Sequence, residues 1–181
     1  RKEKVFNKEI SSVMKVIGIA FSDLHLGEYS KFNEENQRTL SIFRVLYLIK
    51  DLCIKYKCPA FFSGDFMHRP EYISTSLDEI IIEQFEELNR CEEFNIYGIS
   101  GNHDLQKSNT IERRSSSHWA NLCRRYSFLH NIDFSYHDFG KFRVVGIPYI
   151  DHNKGLDSLI KAELKGAMLK PTILLLHTDY P

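Results

Sequence analysis

Four short apolar runs in this chain each stop at a side chain able to bind a metal ion, and stretches of helical rhythm separate the first three. Lys15 to Phe21 stops at Ser22-Asp23-Leu24-His25-Leu26-Gly27, and Ala60 to Phe62 stops at Ser63-Gly64-Asp65-Phe66-Met67-His68. Phe94 to Ile99 stops at Ser100-Gly101-Asn102-His103-Asp104, and Ile173 to Leu176 stops at His177. The first run is almost continuously apolar, which fits a strand buried on both faces. Between the runs, Gln37 to Tyr56 carries Leu40, Phe43, Tyr47, Leu48, Leu52 and Ile54 at helical spacing. Ser76 to Arg90 is a second expected helix: Ser76 and Glu79 have the form of a capping box, and Ile81, Phe85 and Leu88 share a face.

Further elements follow. A helix is expected over Ile111 to Arg125, then short strands near Phe128, Tyr136 and Phe142 to Ile147, with Phe139-Gly140-Lys141 as a hairpin turn. Leu156 to Leu164 reads as helical. The order is a βαβαβ opening followed by antiparallel elements. Alternation of this kind implies a parallel sheet with helices on its faces. Ligands of such sheets bind outside the carboxyl ends of the strands, so the four polar endings are expected to converge on one spot.

The chemistry of those endings is that of a metal centre. Asp23 and His25, at i and i+2 beyond a strand, are expected to point the same way. The glycines before Asp65 and Asn102 let the backbone turn as it leaves the sheet. Carboxylate and imidazole donors without thiolates suit Mn²⁺, Fe²⁺ or Zn²⁺ and argue against a structural zinc site. Each piece has a bland counterpart: a lone Asp-x-His is a turn with a solvated ring, and Gly-Asn-His-Asp alone is a self-bonded loop. Their succession, each at a strand end, is what points to a metal.

Composition sets the remaining bounds. The 181 residues suit one α/β domain. Lys+Arg and Asp+Glu both number 24, so general electrostatics give no sign of nucleic acid and do not exclude it. The four cysteines (Cys53, Cys58, Cys91, Cys123) show no CxxC spacing and read as reduced thiols. No stretch reaches the ~20 apolar residues of a membrane span. Residues 1–14 are polar at first and lack a signal-peptide core, so they are expected to be a flexible leader of a soluble, non-secreted protein.

In this order, Asp23-x-His25, Gly64-Asp65, Gly101-Asn102-His103-Asp104 and His177 resemble the motifs of the calcineurin-like metallophosphoesterase superfamily, over residues 15 to 177. The resemblance implies an α/β fold, a β-sandwich with flanking helices, over residues 15–181. Protein phosphatases of the superfamily carry Asp at the position of His68. His68, followed by Pro70, is similar to SbcD/Mre-type DNA repair exonuclease subunits of phage or bacterial type. The resemblance implies two divalent ions, Mn²⁺ first among Mn²⁺, Fe²⁺, Zn²⁺ and Mg²⁺, about 3.5–4 Å apart with a hydroxide between them.

By the same resemblance Asp23 and His25 bind the first metal, Asp65 bridges both, and Asn102 and His177 bind the second. His103 protonates the leaving oxygen, Asp104 positions the His103 ring, and His68 orients the phosphate or helps the general acid. The implied partners are DNA and an SbcC-type coiled-coil ATPase, with room for a homodimer and no membrane. The implied place is the cytoplasm of a bacterial or phage-infected cell, at the nucleoid. The superfamily's closing Gly-His-x-His motif does not occur here, so the domain is expected to be incomplete at its C-terminus. A phosphomonoesterase or small-molecule phosphodiesterase on the same fold stays open, as does a non-catalytic scaffold. His118, His130, His137 and His152 fit no motif and read as surface or packed rings. Arg113-Arg114 and Arg124-Arg125 read as a DNA-backbone contact or a solvated helix face, and Trp119 as core.

Overall fold

Parallel pairing organises the chain around one strand. The computed structural model describes residues 15–27, 37–68, 73–105, 117–150, 160–161 and 170–178. In it β2 (Ala60–Phe62) is buried at all of its positions. It lies between β1 (Ile19–Phe21) and β3 (Ile96–Gly98), parallel to both, and β4 (Leu129–Asn131) joins β3, again parallel. Parallel neighbours need crossovers. Here they carry α1 (Gln37–Tyr56), α2 (Thr75–Asn89) and α3 (His118–Arg125). A second sheet has the order β5 (Ser135–Asp138), β6 (Arg143–Ile147), β7 (Thr172–Leu176).

Strand alternation divides the interior in two. Ala60 and Phe62 point to the helices, where they meet Leu46, Phe85 and Trp119 in one core. Phe61 points the other way and packs with Ile99, Val144 and Leu175 between the two sheets. Helices, first sheet and second sheet therefore form three layers, the expected sandwich with flanking helices.

Several details differ from the sequence-based expectations. β1 starts at Ile19 and lies at the edge of its sheet, and Ile17 is 46 % exposed, so the first run is not a strand buried on both faces. The α1 boundaries are as expected, but its buried face is Thr39, Phe43, Leu46, Ile49 and Cys53, while Leu48 is 58 % exposed. Apolar residues almost encircle α1, so periodicity did not select a face; the sheet did. The N-cap of α2 is Ser74, whose hydroxyl accepts from the Leu77 amide at 3.4 Å. Ser76 lies inside the first turn and cannot cap, because a capping residue needs extended backbone.

The third helix begins at His118, capped by Ser117 through the Ala120 amide at 2.9 Å; residues 111–116 lie outside the described residues. Beyond the opening, β5 and β6 form the expected antiparallel hairpin, with Gly140 at φ +80° in its turn, but β4 and β7 join in parallel. The leader 1–14, His152, Arg113-Arg114 and most of the expected helix 156–164 also lie outside the described residues; Ile160 and Lys161 are helical. Cys53, Cys58, Cys91 and Cys123 are free thiols, and Trp119 is fully buried. Among the described residues no helix is long and apolar enough to cross a membrane.

Candidate metal centre

All four polar strand endings meet at one end of the sandwich. Asp23 and His25 do not converge by strand alternation, as their spacing suggested. Both have left-handed backbone, φ 56° and 49°, as does Asp65 at 62°. Non-glycine residues adopt this conformation at a cost of order 1–3 kcal/mol and are held there by their surroundings. The surroundings are a ladder that resumes past the sheet. The Asp23 amide donates to the Gly64 carbonyl at 3.0 Å and the His25 amide to the Asp65 carbonyl at 3.0 Å. The Leu26 amide donates to the Phe66 carbonyl at 2.8 Å, and the His68 amide to the Leu26 carbonyl at 2.8 Å.

Of the two glycines expected to ease sharp turns, Gly64 does so, at φ +104°. Gly101 serves differently: a Cβ there would collide with the carboxylate and amide of Asp65. It is glycine because Asp65 passes against it.

The buried Asp65 carboxylate stands between two donor groups. Its Oδ2 lies 3.7 Å from His25 Nε2, which is itself 3.7 Å from Asp23 Oδ1. Its Oδ1 lies 3.5 Å from His177 Nε2 and accepts from the His103 amide at 2.9 Å. His177 Nδ1 donates to the Ser63 carbonyl at 2.8 Å, so Nε2 presents a lone pair. Asn102 Oδ1 lies 2.9 Å from His177 Nε2, so the two ligand atoms face each other beside Asp65.

The arrangement fits a pair of cations. Burial lowers the His25 pKa, the neighbouring Asp65 opposing this and His103 adding to it, so the ring favours the neutral form that ligates metals. Asp23, His25 and Asp65 bring their donor atoms within 4.8 Å of one another, and so do His25, His68 and His103. Carboxylate oxygens and imidazole lone pairs gathered this closely are a hard-to-borderline donor set. Asp23 and His25 on one side, and Asn102 and His177 on the other, would each hold one ion, with Asp65 reaching both.

His103 and His68 flank this centre. Their rings stack at 5.4 Å and 21°, and His25 meets His103 edge-on at 4.9 Å. His103 Nδ1 donates to the backbone carbonyl of His68 at 2.9 Å, which leaves Nε2 on the site side.

Asp104 does not hold the His103 ring, as the resemblance implied. Its carboxylate is occupied by four backbone amides: Asp65 at 3.0 Å, Phe66 at 3.0 and 3.2 Å, Met67 at 3.0 Å and Gly101 at 2.8 Å. It therefore pins the loop after β2 to the loop after β3. Burial pushes its pKa up to about 6, even though those amides favour the charged form.

The sequence offered no sign of the Ser63 carbonyl, because backbone atoms have no motif. Nor did it single out Tyr149, whose ring meets His177 edge-on at 6.2 Å. His130 and His137 lie away from the centre and pack on Tyr97 at 4.4 and 4.3 Å. Arg124 pairs with Asn121 on its own helix, and Arg125 lies over the Tyr126 ring at 5.5 Å.

The family model for calcineurin-like phosphoesterases matches residues 19–179. No curated protein matches the chain. Among solved structures, the Pseudomonas putida nuclease MPE aligns at 13 % identity with a TM-score of 0.41. The alignment covers 87 % of this chain and 59 % of that one, so the chain spans less than two thirds of that protein's length.

Proposed function

The chain belongs to the calcineurin-like phosphoesterase family, and from that premise we propose that it hydrolyses phosphodiester bonds of DNA with two divalent ions, preferentially Mn²⁺. One observation carries the metal-dependent chemistry: the two oxygens of Asp65 face two separate donor groups, His25 with Asp23 and His177 with Asn102. When bound, the ions supply Lewis acidity, polarising phosphoryl oxygens and lowering the pKa of water.

The remaining roles belong to the chain's own side chains. His103 in its charged form keeps Nδ1–H on the His68 carbonyl and gives up the proton on Nε2 to the departing oxygen. Such proton transfer is typically worth about 10²–10⁴-fold. The His68 ring lies flat against His103 and limits where that ring can turn. Asp104 keeps the Asp65 loop and the Asn102 loop in register.

DNA is the proposed substrate because His68 stands where the phosphatases of the superfamily carry Asp, the feature that resembles SbcD/Mre-type nucleases. The same resemblance supports a coiled-coil ATPase partner of SbcC type and a place at the bacterial or phage nucleoid.

The test compares linear double-stranded DNA with p-nitrophenyl phosphate, using the full-length protein with Mn²⁺ and with chelator. Mn²⁺-dependent DNA cleavage is expected. Hydrolysis of the small ester with DNA left intact would move the reading to a phosphomonoesterase. His103→Ala should cut DNA turnover by about 10²–10⁴-fold while Mn²⁺ still binds; a variant at the wild-type rate would remove His103 from the chemistry.

A further inference from the structure

Behind the metal centre, Ser100 is held by a set of hydrogen bonds that involve no motif ligand. Ser100 is the residue after Ile99, two before Asn102, and is fully buried. Its amide donates to Asp133 Oδ1 at 2.8 Å, and its hydroxyl lies 2.6 Å from Asp133 Oδ2 and 2.7 Å from the Ser117 hydroxyl. Its carbonyl accepts from the Tyr149 amide at 2.9 Å.

A hydroxyl has one hydrogen, and a carboxylate only accepts. Ser100 therefore gives its hydrogen to Asp133, and Ser117 gives its own to Ser100. Ser117 keeps a lone pair for the Ala120 amide, the N-cap bond of α3. The charge on Asp133 thus sets the direction of the whole chain of hydrogen bonds.

Asp133 is well placed for this. It follows β4 and forms an isolated parallel bridge with Gly146 of β6, at the seam between the two sheets. Ser100 lies on the first sheet's side of that seam, and Tyr149, just past β6, on the second's. Tyr149 in turn meets the His177 ring. Asn102 and His177, which face each other across 2.9 Å, come from these two sides.

We propose that Asp133 is a positioning residue of the metal centre: by holding Ser100 it sets the place of Asn102 and, through Tyr149, of His177, and so governs the affinity of the ion these two would share. The proposal rests on assigning Asn102 and His177 to one ion. Residues that orient metal ligands from behind typically contribute about 10- to 100-fold in affinity.

The experiment titrates Mn²⁺ into the full chain by calorimetry and records the electron paramagnetic resonance spectrum, in which two adjacent Mn²⁺ ions give an exchange-coupled signal. Asp133→Asn keeps the shape and an acceptor for the Ser100 amide, but turns an NH₂ toward the Ser100 hydroxyl and reverses the chain. It should weaken one Mn²⁺ by about 10- to 100-fold, leave the other unchanged, and replace the coupled signal by that of isolated Mn²⁺. Ser100→Ala, a smaller change, should weaken the same ion. Two ions at wild-type affinity in both variants, or equal loss of both ions, would overturn the proposal. A wild-type chain that binds only one ion, or an Asn102→Ala chain with both affinities intact, would instead overturn the underlying ligand assignment.

Discussion

The two halves of the candidate metal centre are built by different means. Asp23 and His25 come from one loop, two residues apart, and their side chains are 56 % and 24 % exposed. Their position is set by left-handed backbone and by a hydrogen-bonded ladder to the neighbouring loop. Asn102 and His177 are 75 residues apart and come from different sheets, and the His177 side chain is 14 % exposed. The His177 ring is held from behind by the Ser63 carbonyl, and Asn102 meets it across the site at 2.9 Å. The first half is a local device, whereas the second is assembled only when both sheets pack. Asp65, with 5 % of its side chain exposed, is where the two meet.

That contrast can be broken at its hinge. Asp65→Ala removes the carboxylate shared by both halves, so neither Mn²⁺ should bind and hydrolysis should fall below detection. Calorimetry or anomalous scattering that still finds two ions would show that Asp65 does not join them.

Asp104 offers the next largest effect, on folding rather than on chemistry. Asp104→Ala leaves four buried amides without their acceptor, each such loss costing about 1–3 kcal/mol and not summing simply. A destabilisation of about 3–5 kcal/mol is expected, read from urea unfolding of the metal-free chain. A change under about 0.5 kcal/mol, the range of a neutral surface substitution, would mean that the ladder alone keeps the loops in place.

The smallest effect lies away from both halves. Burial lowers the His130 pKa below its ordinary value of 6.5, with His137 adding to it. The folded state thus favours the neutral ring, so this contribution to stability is present above 6.5 and is lost as pH falls through the folded value. Over roughly pH 5 to 7, His130→Gln should flatten the decline in stability seen on acidification. An unchanged slope would show that His130 is not responsible for it.

Much of the fold was legible because local rules were strong where they applied. α1 and β2 have the expected boundaries, since a long apolar rhythm and a short apolar run after Pro59 each admit one reading. Leu77, Ile81, Phe85 and Leu88 give α2 a single buried face for the same reason. Where several local answers were equal, the sequence did not choose. Ser74, Thr75 and Ser76 could each cap α2, and α1 is apolar on nearly every side. The site was legible as residue types at strand ends, but not as contacts. Asp104 shows the difference: its place in Gly-Asn-His-Asp suggested a partner for His103, while its carboxylate turns to amides of the preceding loop.

Which side chains stand at the carboxyl ends of the strands is written along the chain, because apolar runs and their polar stops are local properties. The family to which those stops belong is legible there too. Packing alone sets which oxygen of Asp65 faces which histidine, which carbonyl fixes the His103 and His177 rings, and the place of Asp133 behind Ser100. Those are distances between residues 33 to 114 positions apart. They exist only after two sheets have packed around a common core, and no periodicity along the chain encodes them.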